Sequence, residues 1–116
     1  MGRISWQIKQ RMKNEDVWWV LDNIIDERIC CLGSSWYLFG SVLEDCAAPS
    51  DIDILIIYDN PSTPSQIREN IENLVLIRPI HLIFMTLEEE LETNFIASQR
   101  CIQFHPNNFL IMDPSS

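Results

Sequence analysis

Residues 38–58 read LFGSVLEDCAAPSDIDILIIY, and this stretch contains the pattern that decides the fold. The apolar run at residues 54–57 predicts a strand that is buried on both faces. Asp51 and Asp53 stand at its beginning, so their side chains are expected to project from the same face. Two adjacent carboxylates repel each other unless a cation lies between them, and a hard divalent cation such as Mg²⁺ suits oxygen ligands. The pair therefore predicts a metal site.

A glycine and a serine precede this acidic pair, and nine residues separate Ser41 from Asp51. Gly40 and Ser41 follow another apolar run, at residues 36–39, which predicts a first strand. Glycine lets the backbone approach a ligand closely, and the N–H groups at the start of a following helix favour an anion. A phosphate beside a carboxylate-held metal is the arrangement that nucleotidyl transfer requires.

Gly-Ser, the nine-residue connection and Asp-Ile-Asp before an apolar strand together resemble the signature of the polymerase-beta-like nucleotidyltransferase superfamily. The nearest resemblance is to its smallest members, the minimal nucleotidyltransferase domains of prokaryotes, and it covers roughly residues 15–97. It implies an α/β (α+β) fold with a small mixed β-sheet and packed helices. It also implies a metal-dependent enzyme that moves a nucleoside monophosphate from a nucleoside triphosphate to a hydroxyl group.

The resemblance assigns roles to individual residues. Asp51 and Asp53 would be catalytic and would hold Mg²⁺ or Mn²⁺, while Gly40, Ser41 and Ser50 would bind the nucleoside triphosphate. The acceptor would be a protein side chain, a small molecule or a nucleic-acid end. In the minimal prokaryotic members the gene is often paired with that of a helical protein partner, in a toxin–antitoxin-like module.

Enzymes of this superfamily generally place a third carboxylate on the next core strand, and here the aligned residue is His81. That strand is expected to open with Pro79 and to run over residues 80–85. A neutral imidazole can accept a proton, so His81 is a candidate catalytic base, although it is a poor ligand for Mg²⁺. The other interpretation is a histidine at the mouth of the pocket that hydrogen-bonds a strand or an acid.

A second departure lies in the connection, where family members often carry arginine or lysine and this chain has Glu44 and Asp45. The two departures leave an alternative function open. In that alternative the chain is a catalytically weak or inactive protein of the same fold, which acts as a nucleotide-binding or protein-interaction module.

Length and composition set the outer bounds. A chain of 116 residues that is 47% hydrophobic predicts one small domain, residues 1–116, with a buried core. The net charge of −9 argues against a broad nucleic-acid-binding surface. The sequence has no membrane-span pattern and no secretory signal pattern, and its four cysteines lack zinc-ligand spacing, so we expect a cytoplasmic protein with free thiols.

The helices are expected from apolar periodicity. A basic amphipathic helix is predicted over residues 3–13, and a second helix is predicted after a cap at Asn14. Trp18 and Trp19 are adjacent and cannot both point inward, so one of them either is exposed as a contact surface or, more often in such helices, lies over a neighbouring helix. One of Ser62, Thr63 or Ser65 is expected to cap a third helix. Thr86 and Glu89 form the sequence of a capping box that opens the last helix. The apolar face of that last helix is expected to be Leu87, Leu91, Phe95 and Ile96, and its solvated acids Glu88, Glu89, Glu90 and Glu92.

The C-terminal segment, residues 101–116, is apolar among proline and asparagine. It is too apolar for a disordered tail, so we expect it either to pack back on the domain or to cover a partner chain. The partner would then be a helical protein or a second copy of this chain in a homo-oligomer. His105 is expected to lie in a surface loop.

Overall fold

The computed structural model describes residues 15–26, 34–43, 52–75 and 79–105. The side chains of Ser41 and Val42 lie outside this description, as do the predicted helix at residues 3–13 and the segment after residue 105. The elements, in chain order, are α1 (Glu15–Asp26), β1 (Ser35–Phe39), a 3₁₀ turn (Gly40–Leu43), β2 (Ile52–Tyr58), α2 (Thr63–Val75), β3 (Ile80–Thr86), α3 (Leu87–Thr93), α4 (Phe95–Ser98) and β4 (Ile102–His105).

The four strands form one mixed sheet in the order β3-β2-β1-β4. Strand β1 is antiparallel to both of its neighbours, whereas β2 and β3 are parallel. Parallel strands need a long crossover between them, and α2 supplies it. The small mixed sheet with packed helices is the fold that the sequence predicts.

One face of the sheet carries the core. Strand alternation places Trp36 and Leu38 of β1 on this face, in register with Ile56 and Ile54 of β2. Helices α1 and α2 cover it, and Phe104 of β4 joins the same cluster. The helix residues buried there are Val20, Leu21, Ile24, Ile67 and Ile71.

In helix α1, Val20, Leu21 and Ile24 are buried and Ile25 packs against the core, at the spacing of one apolar helix face. Trp19 keeps 48% of its surface exposed, so one tryptophan of the adjacent pair does face solvent. Helix α2 begins at Thr63, after a turn in which the Asn60 side chain accepts hydrogen bonds from the backbone N–H and the hydroxyl of Ser62. No helix within the described ranges is long and apolar enough to cross a membrane.

Helix α3 differs from the prediction in its inward face. The capping box is confirmed, because Thr86 Oγ1 accepts from Glu89 N and Thr86 N donates to Glu89 Oε1. The helix then stops at Asn94, whose φ of 53° is left-handed, so Phe95 does not continue its face. Leu87 and Leu91 are exposed, at 61% and 70%, so their prediction as part of a packed apolar face is wrong.

Glu90 is the second correction in α3. It was expected among the solvated acids, yet only 9% of it is exposed. Its Oε2 accepts a hydrogen bond from the backbone N–H of Ile96, at 3.0 Å, in the first turn of α4. That bond explains how a carboxylate can be buried, since a buried acid needs a hydrogen-bond donor.

The segment predicted as a tail contains a strand. β4 pairs antiparallel with β1, with Ile102 opposite Leu38 and His105 opposite Trp36. His105 is therefore a half-buried strand residue, and its prediction as a surface-loop residue is wrong. Burial lowers the pKa of His105 below its ordinary value. The tail was expected either to pack back on the domain or to cover a partner chain, and residues 102–105 pack back on the domain.

Candidate functional site

Three strand ends meet at one corner of the sheet. Because β1 runs antiparallel to β2, its last residue, Phe39, lies beside Asp53 near the start of β2. Because β3 runs parallel to β2, its second residue, His81, lies on the other side of Asp53. The topology thus brings together residues that are far apart in the sequence, with Gly40 directly following Phe39.

The start of β2 is held firmly. Ile52 N donates to the carbonyl oxygen of Pro79, at 2.9 Å, which joins β2 to the residue before β3. Ile52, Ile54 and Leu55 around Asp53 are fully buried. Asp53 is therefore a polar residue on an otherwise apolar strand, and its backbone position is fixed by packing on both sides.

Gly40 lies against the carboxylate of Asp53. Its φ is +79°, which L side chains rarely adopt, and a Cβ atom there would overlap Asp53 Oδ2 and lie 3.1 Å from Asp53 Cγ. Position 40 therefore requires glycine for two separate reasons. The backbone at the start of the 3₁₀ turn and the acid of β2 are in direct contact.

Asp53 and His81 form a pair. The distance from His81 Nδ1 to Asp53 Oδ1 is 3.2 Å, and 62% of the His81 side chain but only 20% of the Asp53 side chain is exposed. A carboxylate oxygen can only accept, so this contact places a proton on Nδ1. In the neutral ring the other nitrogen, Nε2, is then an acceptor.

The structure brings three of the six predicted site residues together: Gly40, Asp53 and His81. Ser41 lies next in the 3₁₀ turn, where its side chain is outside the description. Asp51 and Ser50 lie outside the described residues, so their roles stay predictions.

Asp53 suits a divalent cation, because its carboxylate is a hard oxygen ligand. His81 offers nitrogen, which suits Mg²⁺ poorly. Within residues 15–26, 34–43, 52–75 and 79–105, no group of three or more His, Cys, Asp and Glu side chains is placed to hold a metal ion. A metal at this corner would thus need Asp51 or oxygen atoms of the nucleotide in addition to Asp53.

The described cysteine, Cys101, is a half-buried free thiol. Burial first, and the carboxylate of Glu90 second, raise the pKa of the Cys101 thiol to about 11. The same two causes, with burial again the larger, raise the pKa of the Tyr37 hydroxyl. Cys101 therefore stays mostly a neutral thiol near neutral pH.

Sequence reasoning missed the support beneath the site. The Phe39 ring packs edge-on against Phe95 of α4, with centroids 5.1 Å apart and planes at 90°. Glu90 fixes the turn that carries Phe95. Phe95 stood out in the sequence only as part of a helix face, and Glu90 stood in a run of acids, so neither gave a signal for this role.

The comparison with known families agrees with this geometry. The family model described as Polymerase beta, Nucleotidyltransferase matches residues 34–105. Neither the curated proteins nor the solved structures gave a match. The matched region covers more than half of the chain, contains all four strands and includes the corner formed by Gly40, Asp53 and His81. The chain therefore belongs to the polymerase beta nucleotidyltransferase family and carries a nucleotidyltransferase domain.

Proposed function

We propose that this protein transfers a nucleoside monophosphate from a nucleoside triphosphate to a hydroxyl group, with a divalent metal ion as cofactor. The observation that carries the proposal is the corner at which Gly40 contacts Asp53 and Asp53 pairs with His81. It lies within the region that matches the nucleotidyltransferase family.

The nucleotide would lie on the Gly40 side of the corner. Backbone N–H groups of Gly40 and Ser41, with the hydroxyl groups of Ser41 and Ser50, would bind its phosphates. Asp53 and Asp51 would hold the metal, Mg²⁺ or Mn²⁺. When bound, that ion neutralises charge that develops on the leaving pyrophosphate.

His81 would act as the general base. Asp53 accepts from Nδ1 and so fixes the ring, while Nε2 stays available on a side chain that is 62% exposed. The acceptor hydroxyl would give its proton to Nε2 as its oxygen bonds to the α-phosphorus. The bond between the α-phosphorus and the bridging oxygen would break, and pyrophosphate would leave.

The acceptor and the cellular context are also proposals. By its resemblance to minimal prokaryotic members, the protein would work in the cytoplasm on a protein side chain, a small molecule or a nucleic-acid end. A helical partner in a toxin–antitoxin-like module would be the source of a protein acceptor.

A non-catalytic role is the second candidate. Leu87 and Leu91 form an exposed apolar pair on α3, which favours contact with a helical partner or with a second copy of the chain. In that case the domain would bind nucleotide, or only a protein, without turnover.

Pyrophosphate release separates the two candidates. The purified protein is incubated with each labelled nucleoside triphosphate and Mg²⁺ or Mn²⁺, and the released pyrophosphate is measured. The melting temperature of each mixture is measured as well. The parent should release pyrophosphate and should be stabilised by metal and nucleotide through mass action. No release and no melting shift under any combination would refute the catalytic proposal.

Variants assign the roles. Asp51→Asn/Asp53→Asn should fold at least as well as the parent without metal but lose the shift with metal and nucleotide. Ser41→Ala should weaken the nucleotide effect and keep much of any metal effect. His81→Ala should lower kcat by roughly a hundredfold or more and leave the melting shift nearly intact. An equal shift in the double aspartate variant would place the metal elsewhere.

A further inference from the structure

Glu90 is the one buried acid of an otherwise exposed acidic helix. Glu88, Glu89 and Glu92 of α3 face solvent, whereas Glu90 is 9% exposed. A buried carboxylate is costly unless a donor compensates it. The turn that Glu90 binds carries Phe95, whose ring packs on Phe39, and Phe39 is the register partner of Asp53, so this turn lies on the sheet face that carries Asp53.

Glu90 holds both sides of the turn between α3 and α4. Its backbone carbonyl accepts from Asn94 N at 2.7 Å, which closes the end of α3. Its side-chain Oε2 accepts from Ile96 N at 3.0 Å, which fixes the beginning of α4. One residue thus sets the direction in which the chain leaves Asn94, at a φ of 53°.

With the chain in that direction, Phe95 packs against Phe39, the residue that precedes Gly40 of the site. Phe95 stands between the two amides that Glu90 binds, and its ring meets Phe39 edge-on at 5.1 Å. Phe39 pairs with Asp53 and precedes Gly40, where the backbone already touches the Asp53 carboxylate. Phe39 and Gly40 are adjacent in the chain, so a shift of Phe39 changes the position of Gly40 relative to Asp53.

We propose that Glu90 is a positioning residue for the site formed by Gly40, Asp53 and His81, and that it acts through the α3–α4 turn, Phe95 and Phe39. The inference rests on the proposed function, because it describes how that site keeps its geometry. Glu90 contacts no reacting group. It determines how accurately the backbone around Gly40 meets the phosphates, and small misplacements are expensive in such sites.

The test compares Glu90→Ala with Glu90→Gln and with Glu92→Ala, a matched loss of charge at an exposed position of the same helix. Glutamine keeps an oxygen acceptor for Ile96 N and removes the charge. The amide resonances of Gly40 and Asp53 are recorded by NMR, and affinity for ATP with Mn²⁺ is measured below the melting temperature of each variant.

Glu90→Ala should shift both resonances and weaken ATP binding about tenfold, whereas Glu90→Gln should restore most of the affinity and Glu92→Ala should change neither. Phe95→Leu leaves the Glu90 hydrogen bond in place and should shift the same two resonances, which keeps the test decisive if Glu90→Ala does not fold. Unchanged Gly40 and Asp53 resonances in folded Glu90→Ala, or in Phe95→Leu if Glu90→Ala fails to fold, overturn the inference. If the parent binds no ATP the proposed function fails, but the resonances still decide the role of Glu90.

Discussion

At position 40 a single methyl group would meet two obstacles. The backbone φ of +79° is unfavourable for any L side chain, and Cβ would overlap the Asp53 carboxylate. Gly40→Ala should therefore lower the free energy of unfolding by more than the roughly 1–2 kcal/mol that left-handed backbone alone costs. Urea unfolding of the parent and the variant measures the loss.

A double-mutant cycle separates the two obstacles. Asp53→Ala removes the overlapping carboxylate but leaves the backbone conformation, so Gly40→Ala should cost less in that background, by about 1 kcal/mol or more. Equal costs in the two backgrounds would mean that the close contact between Gly40 and Asp53 is absent in solution.

His105 predicts a dependence of stability on pH. Burial lowers the pKa of His105 from 6.5 in the folded chain, so the unfolded chain binds its proton more readily as the pH falls. The contribution is fully present above the unfolded pKa and is lost as the pH falls from about 6.5 towards the folded pKa. The melting temperature should therefore fall more for the parent than for His105→Gln between about pH 7.5 and pH 5.5. Parallel pH curves for the two proteins would contradict the buried position of His105.

Among the elements, β2 is the one in which replacement of a buried residue is expected to cost the most folding stability. Ile56 is fully buried on the core face, whereas its neighbour Ile57 points to the other face and is half-buried. Ile56→Asp places an unpaired charge in the core, which costs several kcal/mol and approaches the whole stability of a small domain. We expect Ile56→Asp to prevent cooperative thermal unfolding and Ile57→Asp to preserve it, as followed by circular dichroism. A cooperatively folding Ile56→Asp protein would show that this run is not a buried strand.

The elements also show where sequence reasoning holds and where it ends. The strands at residues 52–58 and 80–86 were predictable because their apolar runs exceed anything a solvated loop would carry. The capping box at Thr86 and Glu89 was predictable because it depends only on residues three apart. Leu87 and Leu91 misled the periodicity argument, because α3 is short and turns its Glu90 side inward, and the spacing of apolar residues did not show this.

The site itself divides in the same way. Gly40, Asp53 and His81 could be predicted as neighbours, because the resemblance assigns the Gly-Ser pair, the Asp-Ile-Asp pair and a position on the next core strand to one site. The close approach of Gly40 to the Asp53 carboxylate could not, because it arises from the register of β1 against β2. The Phe39–Phe95 contact was harder still to predict from sequence, because it joins β1 to a helix that lies far along the chain.

At the scale of the whole molecule, β4 contributes both a strand and a core residue to the described sheet. Phe104 is 1% exposed and meets Trp36, the largest core side chain, with ring centroids 6.2 Å apart. It lies beyond the part of the chain in which the motifs stand, among residues that resemble a tail. The family match ends at residue 105, the last residue of β4, which agrees with a domain that needs this strand.

The last prediction follows from that strand. Phe104→Ala removes a buried ring and should cost about 3–5 kcal/mol, a large share of the stability of a domain of this size. Phe104→Leu keeps most of the volume and should cost much less, so the pair separates packing from any local effect on β4. Urea unfolding gives both values. If Phe104→Ala matches the parent, β4 does not contribute to the core, and the sheet would then be stable with three strands.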